Sequence, residues 1–150
     1  MDNETAMGLA LEEARAALMH GDVPIGALVL FEDRIVAQRH NERELTQDPT
    51  AHAEILALQD ASEELGTWRL SGCPLVVTLE PCLMCAGAMV NSRIDRVVFG
   101  APDLKAGGVG SLYNLLVDPR LNHNAAVVHG VLEAECQQLL TDFFANLRGA

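Results

Sequence analysis

Pro74-Leu75-Val76-Val77-Thr78-Leu79-Glu80-Pro81-Cys82-Leu83-Met84-Cys85 is the stretch on which the fold turns. Its first six residues are a dense apolar run, which predicts a buried central strand. Pro81 stands where a first helical residue is expected, and Cys82 to Asn91 continues as a helix. A buried strand passing directly into a helix belongs to a layered α/β architecture. The two cysteines are three residues apart at the helix start, so their thiols point to the same side. Both fall in the first turn, where the helix dipole favours a thiolate.

Helix and strand signals alternate on either side of this stretch. Leu9, Leu11, Ala14, Ala17 and Leu18, interleaved with Glu12, Glu13 and Arg15, predict an amphipathic helix over residues 4–19. Gly21, Asp22 and Pro24 break it. Ile25 to Phe31 and Arg34 to Arg39 predict a hairpin around Glu32-Asp33. Asn41 to Thr50 reads as a polar loop, and Ala51 to Leu65 as a helix stopped by Gly66. Further on come a strand at Arg96 to Gly100, a glycine-rich loop over 101–111 and a short helix at Leu112 to Val117. A last strand at Ala125 to Val131 and a closing helix at Leu132 to Leu147 complete the outline. The expected architecture is a single α/β domain over residues 1–150. It has a sheet of about five strands with helices on both faces.

Hydrophobic residues make up 49% of the chain and charged residues 21%, as in a folded globular protein. Aromatics are only 4%, so the core must come from Leu, Val, Ala and Ile. The net charge of −11 argues against broad nucleic-acid binding, which needs a basic field, but leaves room for a local contact with one RNA loop. Residues 1–75 hold 14 acids and 5 bases, and residues 76–150 hold 7 acids and 5 bases. A docking polyanion is therefore expected to use mainly the second half. Val23 to Phe31 is too short an apolar run to span a bilayer. The first twenty residues carry five charges of mixed sign and no apolar run. Neither a signal peptide nor a membrane partner is expected, and the expected compartment is the cytoplasm. In that compartment the close pair among Cys73, Cys82, Cys85 and Cys136 points to metal or redox chemistry rather than a disulfide.

His52-Ala53-Glu54 adds a third candidate ligand at the start of another helix. His52, Cys82 and Cys85 would hold zinc and leave its fourth position open for water, which marks a catalytic site rather than a structural one. Two thiolates would neutralise the ion. Glu54 is not expected to be a ligand; it lies on the same turn as His52, where it can exchange a proton with water. H-x-E with P-C-x-x-C is the established signature of zinc nucleobase deaminases, and it is recognised here as that signature. A redox pair or a closed structural zinc site is the plainer reading of C-x-x-C alone. Cys73 is expected at the opposite end of the sheet and Cys136 at an apolar position in the closing helix, so neither is expected to supply a fourth ligand.

Several further segments carry a resemblance. They are Val23-Pro24-Ile25-Gly26-Ala27, Asp48 to Glu54, Val77 to Cys82, Met84 to Met89, Arg96 to Ala101, Gly110-Ser111-Leu112, Leu121-Asn122-His123 and Asp142-Phe143-Phe144. In these the chain resembles the bacterial tRNA-specific adenosine deaminases of the TadA type, within the cytidine deaminase superfamily, from about Val23 to Phe144. The resemblance implies a three-layer α/β/α sandwich with a mixed sheet, a homodimer, and one Zn²⁺ per subunit. It implies deamination of adenosine to inosine at the wobble position of a tRNA anticodon loop. Carried over by position, His52, Cys82 and Cys85 would hold the zinc and Glu54 would shuttle protons. Asn41 would contact the flipped nucleoside, and Asp103 the ribose of its neighbour.

Two alternatives stand beside that expectation. The acidic charge, the single lysine (Lys105) and an end sequence with one base, Asn146 to Ala150, favour a free nucleobase or nucleoside deaminase acting on guanine or cytosine. A non-catalytic zinc-stabilised subunit is the other. Among the remaining residues, His20, His40, His123 and His129 are expected to pack or hydrogen-bond. Gly107 to Gly110 reads as a mobile substrate-side loop, without the spacing of a phosphate-binding loop. Ala86, Gly87 and Ala88 are expected to allow close helix packing, with a dimer interface on that surface as the alternative. Phe143 and Phe144 are expected to anchor the core, with stacking of one of them on an RNA base as the alternative. Arg93, Arg96, Arg120 and Arg148 are candidate phosphate contacts.

Overall fold

The computed structural model describes residues 1–149; Ala150, the last residue of the expected domain, lies outside the described residues. The first helix, α1 (Asn3–Ala16), is opened by Asp2, whose carboxylate accepts the Thr5 amide at 2.7 Å. Its stripe of Ala6, Met7, Ala10, Leu11 and Ala14 is buried. A short 3₁₀ turn and Gly21 end this segment. Strands β1 (Gly26–Phe31) and β2 (Arg34–His40) form the expected hairpin. Glu32 and Asp33 at its tip both adopt positive φ, 50° and 62°, as a two-residue turn of matching twist requires.

After one helical turn, α2 (Arg43–Thr46), come α3 (Ala53–Leu65), β3 (Pro74–Leu79), α4 (Leu83–Ser92), β4 (Arg96–Ala101), β5 (Ala126–Val128) and α5 (Glu133–Gly149). The sheet order is β2-β1-β3-β4-β5. β1 runs antiparallel to both β2 and β3, whereas β3, β4 and β5 are parallel. The result is the expected three-layer α/β/α sandwich around a five-stranded mixed sheet.

The two-residue period of a strand divides the apolar side chains between two cores. Ala27, Val29, Leu75, Val77, Val97 and Phe99 face α3 and α4, where Ala57, Ala61, Cys85 and Met89 meet them. Leu28, Leu30, Val76 and Val98 face the other way, toward Met7, Ala10 and Leu11 of α1 and Cys136 of α5. Strands buried on both faces read as continuous apolar runs, which is why Pro74 to Leu79 was legible. Gly26 lets α1 lie directly on β1; a Cβ there would overlap the Ala10 carbonyl oxygen.

Four expectations need correction. Asn41 to Thr50 is not wholly loop, because Asp22 reaches across to accept the Glu44 and Leu45 amides at 2.7 and 3.0 Å and so stabilises α2. Pro81 is not the first helical residue. Cys82 is extended (ψ 178°) and is itself the N-cap of α4, so Pro81 lies outside the helix. The helix expected at Leu112 to Val117 is only a 3₁₀ turn at Leu115–Val117. The last strand is only Ala126–Val128, and Gly130 at φ 78° turns the chain toward α5 soon after it. Among the described residues no helix is long and apolar enough to cross a membrane.

Candidate active site

The site lies where β3 gives way to α4, beside the start of α3. Both helices begin on a residue whose side chain makes no capping hydrogen bond: His52 for α3 and Cys82 for α4. These side chains turn toward each other instead. His52 Nδ1 is 3.6 Å from Cys82 Sγ and 3.5 Å from Cys85 Sγ. The three ligand atoms all lie within 4.8 Å of one another. Two helix N-termini therefore point partial positive charge at two sulfurs.

The protonation pattern shows what this donor set accommodates. The hydrogen bond from Cys85 and that from His52 bring the Cys82 thiol down to about 4 against the opposing effect of burial. The same Cys82–Cys85 contact, together with burial, pushes the Cys85 thiol up. Cys82 in turn raises the His52 ring. One thiolate is thus tolerated, and a second needs a cation beside it. An imidazole and two thiolates at this spacing fit zinc, with a coordination position left over.

Glu54 is the second residue of α3 and is buried. Burial moves its carboxyl up to about 7. It is not part of the ligand cluster. A buried acid next to three ligands is unexplained by a purely structural metal site, and it suits proton transfer.

His52 opens onto a cleft of about 590 Å³ that Asn41 and Asp103 also line. The Asn41 amide donates to the Val23 carbonyl at 3.2 Å, and its Oδ1 accepts the Arg43 amide at 3.0 Å. Half of its hydrogen-bonding capacity remains for another group. Asp103 Oδ1 accepts the Lys105 and Ala106 amides, each at 3.1 Å, which shapes the wall of the cleft.

Three cleft residues, Arg43, Lys105 and Phe144, were not assigned to a site from sequence, and a fourth, Arg148, is one of the candidate phosphate contacts. Arg43, Lys105 and Arg148 all line the cleft, in a chain with only 10 lysines and arginines. Lys105 had a signal, as the only lysine; Arg43 had none. Phe144 is not a core anchor: it is 40% exposed and lines the cleft, with Phe143 edge-on to it. Of the four candidate arginines, only Arg148 reaches the cleft. Arg120 pairs with Asp118 at 2.7 Å, and Arg93 donates to the Val90 carbonyl at 2.7 Å. Gly107 and Gly108 are buried rather than open. Ala86 is core, while Gly87 faces open space.

The other histidines hydrogen-bond or pack. His123 Nε2 meets the Ile94 carbonyl at 2.7 Å; His20 meets Asp22, and His40 meets Glu13, each at 2.7 Å. His129 lies near the Phe99 ring. Cys73 and Cys136 are buried outside the ligand cluster, and burial pushes the Cys136 thiol up to about 12.

Comparison with known proteins agrees with this geometry. The family described as MafB19-like deaminase matches residues 1–148. The tRNA-specific adenosine deaminase of Bacillus subtilis is 53% identical over 146 residues, covering 97% of this chain and 91% of that protein. A solved structure of a tRNA:A34 deaminase, studied for A-to-I editing at the wobble position of transfer RNA, superposes with a TM-score of 0.87. It is 43% identical and covers 91% of this chain and 99% of that one. A guanine deaminase from Nitrosomonas europaea shares the fold at a TM-score of 0.82, with 30% identity, covering 96% of this chain and 85% of that one. Sequence, cytidine deaminase-like fold and ligand cluster together make this chain a member of the tRNA-specific adenosine deaminase family.

Proposed function

We propose that the chain converts adenosine to inosine at the wobble position of a tRNA anticodon loop, releasing ammonia. The observation that carries this is the pairing of a His52/Cys82/Cys85 cluster and a buried Glu54 with a cleft bordered by Arg43, Lys105 and Arg148. A strongly acidic chain that gathers three bases at one cleft suits a small polyanionic segment rather than a long duplex. An anticodon loop offers its base largely unpaired, which lowers the cost of bringing it into the cleft.

His52 Nδ1, Cys82 Sγ and Cys85 Sγ would hold one Zn²⁺ per subunit. When bound, the zinc supplies Lewis-acid activation of water at neutral pH. Glu54 accepts a proton from the attacking water. It delivers that proton to ring N1 of adenine, then takes the attacking water's remaining proton and hands it to the departing amine as the C6–N bond breaks, so water and adenosine become inosine and ammonia. Asn41 offers its spare donor and acceptor to the flipped nucleoside. Asp103 offers its second carboxylate oxygen to the neighbouring ribose. The low exposure of Glu54 keeps bulk water from competing for the proton.

The working unit is one deaminase domain over residues 1–150, acting in the cytoplasm as a homodimer. Exposed Leu83 on α4, with exposed Val117 on the 3₁₀ turn packed against that helix, supports a second copy on that face. The guanine deaminase of the same fold keeps a free base as the second reading. The test is to offer the zinc-loaded protein a tRNA bearing adenosine at the wobble position, and separately guanine, cytosine and cytidine. Inosine at that one position is the expected product. Ammonia from guanine or cytosine alone overturns the tRNA substrate and keeps the zinc chemistry. Zinc without ammonia from any of them makes the chain a structural subunit.

A further inference from the structure

Glu80 is a buried carboxylate, 2% exposed, that the chemistry above does not use. It lies two residues before Cys82. Its Oε1 accepts the Asp103 amide at 3.0 Å and the Ser111 hydroxyl; its Oε2 accepts the Val109 amide at 3.1 Å and the Ser111 amide at 3.0 Å. These donors come from both ends of the segment 103–111, so a single side chain closes the loop. The backbone adds two ties to the same place. The Gly108 amide donates to the Pro81 carbonyl at 2.8 Å, and Gly107 pairs with Cys82. A Cβ on Gly107 would overlap the Glu80 carboxylate, and one on Gly108 would sit 3.0 Å from the Cys82 carbonyl carbon and the Leu83 nitrogen. The near side of this loop, Pro102 to Ala106, is a wall of the cleft.

We propose that Glu80 is a positioning residue that sets the cleft wall against the metal ligands, and so governs how tightly the RNA flanking the target base is held. The inference rests on the wobble-adenosine reading. Its physical basis is the acceptor-only character of an ionised carboxylate. Each oxygen takes two donors, and charge-assisted bonds of this kind are stronger than neutral ones. An amide of the same shape turns an NH₂ toward two of those donors whichever way it sits. The wall bearing Asp103, Leu104 and Lys105 then loses its register, while His52, Cys82, Cys85 and Glu54 keep theirs through α3 and α4.

The test compares wild type, Glu80→Gln and Ser111→Ala as zinc-loaded full chains on an anticodon stem-loop with adenosine at the wobble position. The readouts are KM, kcat, zinc content and amide hydrogen exchange. Glu80→Gln is expected to raise KM about tenfold, with kcat within about threefold of wild type and zinc retained. Ser111→Ala is expected to raise KM about threefold in the same pattern. The amides of Asp103, Val109 and Ser111 are expected to exchange faster in Glu80→Gln, with those of α4 unchanged. Unchanged KM in an active Glu80→Gln, or a kcat loss that follows zinc loss, overturns the positioning role. If Glu80→Gln does not fold, Ser111→Ala decides: an unchanged KM overturns the role. If wild type makes no inosine, the substrate reading has failed, and the exchange pattern alone decides for or against the positioning role.

Discussion

The starts of α1 and of α3 and α4 obey opposite rules. At α1, Asp2 does what an N-cap residue does in isolation and binds the Thr5 amide. At α3 and α4 the cap positions hold His52 and Cys82, and neither side chain caps its helix. They face each other and Cys85 instead. The α1 face of the sheet is an apolar layer built for stability. The start of α3 and α4 gives up local stabilisation, at about 1 kcal/mol per missing cap, to assemble a ligand cluster. Departures from local rules of this kind concentrate where a protein functions.

That contrast can be broken at several points. The largest effect is expected at Glu54. Glu54→Gln should lower kcat by about 10²–10⁴-fold while zinc content and thermal midpoint stay near wild type, measured by inosine release and metal analysis. On the α1 face the signs exchange. Met7→Ala leaves a cavity under a fully buried side chain and should cost about 2–5 kcal/mol in urea unfolding, with kcat unchanged.

Asp22→Asn falls between these two regions, because Asp22 holds α2 next to the cleft. Burial alone would raise the Asp22 carboxyl, but the Glu44 and Leu45 amides and the His20 ring outweigh it and hold it below its ordinary value. A depressed folded-state value means stability that is present above the unfolded value of about 4 and is lost as pH falls through the folded one. The stability gap between wild type and Asp22→Asn should therefore be about 1–3 kcal/mol at pH 7 and narrow below about pH 4. A gap that widens in acid would contradict the assignment. The smallest expected effect has the opposite sign. In the presence of a chelator, His52→Ser should raise stability by about 1 kcal/mol by restoring a cap to α3. No gain would mean that His52 is not withheld from capping at a cost.

Much of this was legible from sequence, and unevenly so. β1, β3 and β4 were legible because strands buried on both faces are continuous apolar runs of strand length, whereas β2, only partly buried, was legible as the partner of β1 across the Glu32-Asp33 turn. β5 was overextended because Val131 is as apolar as a strand residue, while Gly130 turns the chain before it. α2 was invisible because its stabilising group, Asp22, is supplied from some twenty residues earlier. Pro81 was misplaced by two positions, because the extended backbone of Cys82 is set by its turn toward His52 and the helix starts only at Leu83. The cluster of His52, Cys82 and Cys85 could be read from spacing, since both pairs of helix-start residues are local in sequence. Asn41 and Asp103 came from the resemblance alone. Arg43, Lys105 and Phe144 became cleft residues only when α2, the 101–111 loop and α5 converged on one side. No local pattern encodes that meeting.

The central claim is that the cluster at the starts of α3 and α4 serves wobble deamination. It is tested most directly by following the wobble nucleoside of a tRNA during incubation with the zinc-loaded chain and, in parallel, with the chelated chain. Inosine that accumulates at that position only with zinc is the predicted result. A wobble adenosine left unchanged by fully zinc-loaded protein would contradict it.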